Sequence, residues 1–149
     1  KQNTLDLWQW LQSNEGPLAG GVTNSVGGRY LDPASRNITG FFKGLSYQWE
    51  PVYDDPPSNN WFGMNSWSQE RNAEYYYLTG NAQSKAILDK WYAFIASIQD
   101  KILLPNNDFQ IPSNLHWEGQ PTSWDGTGSI PVQSDLHCTV TDYSKDVGV

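Results

Sequence analysis

The chain has 149 residues and a mass of 16.8 kDa, the size of one ordinary domain, with Trp 8, Tyr 8 and Phe 5 making up 14% of it and charged residues only 17%. That aromatic content argues against a disordered chain. Lys+Arg 9 against Asp+Glu 16, a net charge of −7 and a pI near 4.5, makes nucleic acid and anionic membrane poor partners. No run approaches the roughly 18 consecutive apolar residues of a membrane span, and Cys138, as the one cysteine, excludes an internal disulfide framework and a multi-cysteine metal site.

Lys1-Gln2-Asn3-Thr4 lacks the features of a signal peptide and reads as the interior of a longer chain. Over residues 4–13, Leu5, Trp8 and Leu11 recur at helical spacing behind Asn3 or Thr4 as N-cap, which predicts a short amphipathic helix. Residues 14–60 carry Gly, Pro, Asn and Ser at almost every break and read as a long loop, its aromatics (Tyr30, Phe41, Phe42, Tyr47, Trp49, Tyr53) favouring an ordered one. Asn37-Ile38-Thr39 within it is a glycosylation sequon, a weak pointer to secretion.

Beyond Asn60, Met64, Trp67, Arg71, Glu74 and Leu78 mark one side of a helix, and Gly80 is placed as its C-terminal cap. Asn81 or Ser84 can cap a second helix, on which Ile87, Trp91, Phe94 and Ile98 form a buried stripe. Thr79-Gly80-Asn81 thus joins two antiparallel helices. Residues 103–135 return to loop, with Pro and Gly interrupting short extended pieces, and residues 136–143 alternate weakly as a short strand. So few helices cannot bury so many aromatics among themselves, so the chain reads as a piece of a larger domain.

The chemistry-bearing pattern is aromatic rings interleaved with carboxylates and amides in Gly/Pro-rich loops. A pyranose has flat C–H faces and a hydroxyl rim, so an aromatic face supplies apolar contact while Asp, Asn and Gln supply hydrogen bonds. Trp61, Trp67 and Trp124 are the candidate sugar platforms, although core packing is the ordinary fate of any one Trp. Trp8 and Trp91 lie on predicted buried stripes and are assigned to the core, while Trp10, Trp49 and Trp117 stay open.

Glycosidic cleavage needs an acid for the leaving oxygen and, for inversion, a base that activates water. Glu15, Asp54, Asp55, Glu70, Glu74, Glu118, Asp125, Asp142 and Asp146 are available, and spacing alone does not pair them. Glu70, Glu74, Asp89 and Asp100 lie on predicted helices as solvated or salt-bridged residues. Tyr53-Asp54-Asp55-Pro56-Pro57 offers adjacent hard oxygens of the kind Ca2+ prefers, weighed against a plain Asp-Pro turn. His116 and His137 lack metal-ligand spacing, Cys138 reads as a buried small residue, and the Gly20-Gly21 and Gly27-Gly28 pairs fit no phosphate-binding motif.

Longer motifs carry a resemblance. They are Leu11-Gln12-Ser13-Asn14-Glu15-Gly16-Pro17-Leu18-Ala19-Gly20-Gly21-Val22-Thr23-Asn24-Ser25, Asp55-Pro56-Pro57-Ser58-Asn59 with Trp61-Phe62-Gly63, Ala73-Glu74-Tyr75-Tyr76-Tyr77, and Val140-Thr141-Asp142-Tyr143 with Asp146-Val147-Gly148-Val149. From end to end the chain resembles an internal segment of the family-48 glycoside hydrolases, the processive reducing-end cellobiohydrolases of cellulose-degrading bacteria, found also in some anaerobic fungi and, with altered specificity, in beetles.

The resemblance implies a secreted enzyme and a mainly α fold. The chain would be part of a single catalytic (α/α)6-barrel domain, incomplete at both ends, with long aromatic loops and short β pieces. The activity implied is inverting hydrolysis of β-1,4-glucan with release of cellobiose. The family's general acid, a Glu, would lie upstream of Lys1, as would the favoured Asp base. By motif position Tyr53 and Asp146 resemble auxiliary residues near the cleavage point, Trp61 and Trp67 the stacking residues of the product subsites, and Trp124 a further platform. Asp55 and the Asp54 carbonyl resemble the part of a structural calcium site that this segment contributes, the remaining ligands lying upstream. The implied partner is a cellulose chain or cello-oligosaccharide, with cellulosome attachment possible through regions outside this segment. The stretch 26–44, Tyr47-Gln48-Trp49 and Cys138 depart from the bacterial pattern. The other readings are a non-catalytic carbohydrate-binding module, expected as a β-sandwich, a diverged hydrolase acting on another β-linked glycan such as chitin, and a helical repeat, which leaves the aromatic loops unexplained.

Overall fold

The computed structural model describes residues 1–23, 37–48 and 60–145. Helix α1 (Gln2–Leu11) begins earlier than the side-chain caps suggest, because the Lys1 carbonyl accepts from the Thr4 and Leu5 N–H groups and no side chain caps it. It buries Leu5, Trp10 and Leu11. Trp10, open in the sequence, is fully buried: its ring packs 5.4 Å from Phe42 and 6.3 Å from Tyr47, and its indole N–H donates to the Thr122 carbonyl at 2.7 Å. Satisfying that one polar atom removes the main penalty for burying an indole. Trp8 sits at the core's edge, partly buried beside Leu5, Leu18 and Ile87.

Within the predicted long loop, three short strands pair antiparallel: β1 (Gly21–Thr23), β2 (Phe41–Phe42) and β3 (Leu45–Gln48), with β3 central. They carry Phe42 and Tyr47 onto Trp10, so the loop's aromatics serve as core at these positions.

Helices α2 (Phe62–Thr79) and α3 (Ala82–Ser97) form the expected hairpin. Gly80 ends α2 in the left-handed region (φ 64) and donates its N–H to the Tyr76 carbonyl, and the Asn81 side chain caps α3 by accepting from the Ser84 N–H. The inward side of α2 is Phe62, Asn65, Gln69 and Asn72, with Trp67, Arg71, Glu74 and Leu78 exposed. The marked stripe is therefore the outer one, and the inner one is mostly amide.

Each of those amides needs a buried partner. Asn65 exchanges hydrogen bonds with the Leu18 backbone, Asn72 Nδ2 donates to the Ser84 carbonyl, and the Ser84 hydroxyl lies 2.5 Å from Asn72 Oδ1. From α1's end, Gln12 Nε2 donates to the Gly16 and Ile87 carbonyls. On α3, Ile87 and Phe94 are buried, and Trp91 stacks on Phe62 at 5.3 Å.

A short helix α4 (Gln99–Ile102) leads into a two-stranded ribbon, β4 (Leu103–Leu104) and β5 (Asp108–Phe109), joined by a 3-10 turn at Pro105–Asn107. Strand β6 (Ile111–Glu118) then pairs antiparallel with β7 (His137–Ser144), the register shifting around Ser113 and Asn114. β7 is the expected strand, whereas β6 is a longer strand than the short extended pieces expected between the prolines and glycines of this stretch. Pro112 and polar Ser113 and Asn114 mask it, and a two-stranded ribbon with irregular register tolerates that proline. Leu115 and Cys138 face inward from the ribbon onto Phe62 and Phe94.

The described residues are thus helical with short strands and contain neither a closed barrel nor two large facing sheets, which removes the β-sandwich expectation. Among them no helix is long and apolar enough to cross a membrane.

Candidate functional site

The α2 N-terminus sets the site. Trp61 is the residue just before the helix, in extended backbone, and its carbonyl accepts the Met64 N–H at 3.2 Å. Its backbone also bridges antiparallel to Asn114 on β6, where that strand's register slips. Phe62, one residue on, points into the core onto Trp91 and Phe94, so Trp61 is held outside the core beside it. Trp67, 58% exposed on the outer side of α2, meets Trp61 with ring centroids 5.1 Å apart and planes at 87°. Half-buried Trp61 and exposed Trp67, at right angles at the helix start, form a corner with apolar walls.

Trp124 corrects the sequence reading. Its backbone is locked to the β2 strand by Trp124 N–H to the Phe41 carbonyl and Lys43 N–H to the Trp124 carbonyl, both at 2.7 Å. That pairing drives its ring against Phe42 at 5.5 Å, with Lys43 Nζ 5.0 Å from the ring centroid and the indole N–H donating to Thr127. At 8% exposure it is a core residue.

Tyr53, Asp54, Asp55 and Asp146 lie outside the described residues. Among the described residues no group of three or more His, Cys, Asp or Glu side chains is placed to hold a metal ion. On the helices, Arg71–Glu74 and Lys85–Asp89 are exposed ion pairs, as expected of those carboxylates. His116 lies 3.6 Å from Glu118 at the surface. Cys138 is buried, and burial pushes its thiol well above the usual range, which suits a packing role rather than nucleophilic attack.

The Glu15–His137 pair went unread in the sequence. Glu15 Oε1 lies 2.7 Å from His137 Nδ1, and Glu15 Oε2 accepts the Cys138 N–H at 2.7 Å. No local spacing could signal a contact between residues 122 positions apart. Burial alone would raise the Glu15 carboxyl, but the His137 and Cys138 hydrogen bonds outweigh it and hold the group below its ordinary value. Asp6, Asp108 and Asp125 are also displaced downward: Asp6 by hydrogen bonds from Gln2, Gln83 and Lys43 that overcome its burial, Asp108 by Lys145, and Asp125 by Thr127. A glycosidase general acid needs the opposite displacement.

With this geometry in view, comparison with known proteins decides the family. The model of glycosyl hydrolase family 48 matches residues 1–149. The chain belongs to that family. It is 45% identical over 147 residues to Exoglucanase-2 of Thermoclostridium stercorarium, covering 99% of this chain and 15% of that protein. It is 46% identical over 144 residues to Endoglucanase F of Ruminiclostridium cellulolyticum, and 45% identical over 146 residues to the reducing-end cellulose 1,4-beta-cellobiosidase CelS of Acetivibrio thermocellus, in each case covering 97% of this chain and 19% of the relative. This family-48 chain therefore spans less than a fifth of the length of the relatives it matches.

Proposed function

We propose that this chain supplies product-side sugar subsites of a cellulose-degrading hydrolase that cleaves β-1,4-glucan with inversion and releases cellobiose. The observation that carries the reading is the Trp61–Trp67 corner, a half-buried indole set edge-on against an exposed one at the start of one helix. The names of the relatives, exoglucanase and reducing-end cellobiosidase, supply the substrate class. The acid is assigned outside this chain, in keeping with the downward displacement of Glu15, Asp6, Asp108 and Asp125, which keeps those groups ionised, and the base is assigned upstream on the family resemblance alone. Tyr53 and Asp146 are proposed as auxiliary groups beside the cleavage point.

The same reading places residues 1–149 within one (α/α)6-barrel domain. Exposed Tyr77 and Leu78 on α2 and Tyr92 on α3 support it, since a helix hairpin set into a ring of helices would bury such side chains. It also assigns structural Ca2+ to Asp54 and Asp55, whose hard oxygens suit that ion. When bound, the ion would supply positive charge to those oxygens, and no chemical step passes through it. Secretion follows from an insoluble polysaccharide substrate.

Titrating the 149-residue chain with cellotetraose and with a chito-oligosaccharide of equal length, read by calorimetry, tests the reading. The expected result is saturable binding of the cello-oligosaccharide, weakened about tenfold, or ~1.4 kcal/mol, in Trp61→Ala and in Trp67→Ala. No cellobiose should be released, because stacking cannot replace an acid and base. Equal affinity in both variants and the parent would overturn the subsite assignment, and tighter binding of the chito-oligosaccharide would shift the substrate to that glycan.

A further inference from the structure

Gly63 occupies the first turn of α2, a position where glycine weakens a helix relative to alanine by up to about 1 kcal/mol. Its backbone gives no reason for the choice, since Gly63 is not among the described glycines of positive φ. Space gives one. A Cβ at position 63 would lie 2.2 Å from Trp61 Cζ2 and 2.5 Å from both Cε2 and Cη2, all atoms of a single indole and all far inside van der Waals contact.

The Trp61 main chain has little freedom to yield. Its carbonyl is engaged by Met64 N–H and its backbone by Asn114 of β6, so a side chain at 63 would have to displace the indole about its side-chain torsions. The 5.1 Å, 87° contact with Trp67 is made by that same ring, so its geometry depends on where the indole lies.

We propose that Gly63 is the positioning residue of the sugar corner: its missing side chain is the slot in which the Trp61 ring lies, and that slot sets the angle between the two platforms. The inference rests on the reading of Trp61 and Trp67 as a sugar site, and its test separates the two. The readouts on the 149-residue chain are the far-ultraviolet exciton couplet of the indole pair, calibrated by Trp67→Phe, helix content, thermal midpoint, and cellotetraose affinity.

Gly63→Ala should keep helix content, leave the midpoint equal or higher, change the couplet as Trp67→Phe does, and weaken cellotetraose about tenfold. In a Trp61→Ala background the same substitution should have no further effect on affinity, since the ring it displaces is gone. An unchanged couplet in Gly63→Ala overturns the inference. A changed couplet with unchanged affinity upholds the slot and overturns the sugar reading. If Gly63→Ala loses helix content, Trp61→Ala should restore it, and failure to do so assigns Gly63 to the helix instead and overturns the proposal.

Discussion

Glu15 and His137 join the turn after α1 to the first residue of β7: one carboxylate oxygen meets the imidazole at 2.7 Å, and the other accepts the Cys138 N–H at 2.7 Å. The neighbouring backbone repeats the tie, with Asn14 N–H donating to the Leu136 carbonyl. Half-buried Lys90 also faces Glu15, its own pKa lowered by burial and pulled back by that carboxylate, and Glu118 adds a more distant attraction on His137.

The pair makes stability depend on pH in both directions. The hydrogen bond with Glu15 raises His137 above its ordinary 6.5, so its contribution is complete below that value and is lost as pH rises through the folded pKa. Glu15 is lowered from 4.5, so its contribution is complete above that value and is lost as pH falls through the folded pKa. Thermal midpoints should therefore gain most from the pair between pH 4.5 and 6.5. His137→Gln should flatten the decline on the alkaline side, and an unaltered midpoint profile in that variant would contradict the linkage.

The amide-lined contact of α2 with α3 predicts an asymmetry between single and double substitutions. Ser84→Ala leaves Asn72 Oδ1 buried without its 2.5 Å partner and should cost about 1–3 kcal/mol. Adding Asn72→Leu removes the stranded amide as well, and the pair should cost less than the sum of the singles. Urea unfolding of the parent, both singles and the double measures this, and strict additivity would show that the two side chains do not interact.

How much of this was legible follows from where each contact falls along the chain. The α2–α3 hairpin was readable because its signals are local: Gly80 and Asn81 mark the turn, and Ile87, Trp91, Phe94 and Ile98 keep a helical period. The inward face of α2 was not, since Asn65, Gln69 and Asn72 look like a solvent face until Leu18 and Ser84 are seen to satisfy two of them. β6 was hidden by Pro112 and by partners in β7 that follow a long intervening loop. The chemistry that suggests Trp61 and Trp67 as platforms suggests Trp124 equally, and its burial depends on the distant strand β2, which local spacing does not reveal.

The assigned calcium predicts a ligand-dependent stability. A cation that binds only the folded chain raises the midpoint as its concentration passes Kd. In the longer protein that carries the upstream ligands as well, calcium should therefore raise the midpoint after chelator treatment, magnesium should do so less, and Asp55→Asn should lose the response. An identical response in that variant would remove the Asp55 carboxylate from the site.

Trp124 and Trp67 provide the sharpest contrast between a core indole and a platform. Trp124 is 8% exposed, packs on Phe42, lies under the Lys43 ammonium and donates to Thr127, so Trp124→Ala opens a cavity and strands polar groups together. Its cost should be about 3–5 kcal/mol. Trp67 is 58% exposed, and its edge contact with Trp61 is worth about 0.5–1.5 kcal/mol, so Trp67→Ala should cost no more than that. The two substitutions should exchange order in binding: Trp67→Ala weakens cellotetraose, whereas Trp124→Ala, measured at a temperature where it stays folded, leaves affinity near the parent value. Equal stability losses would show that Trp67 is itself held in the core, and the corner would then have only one wall to offer a sugar.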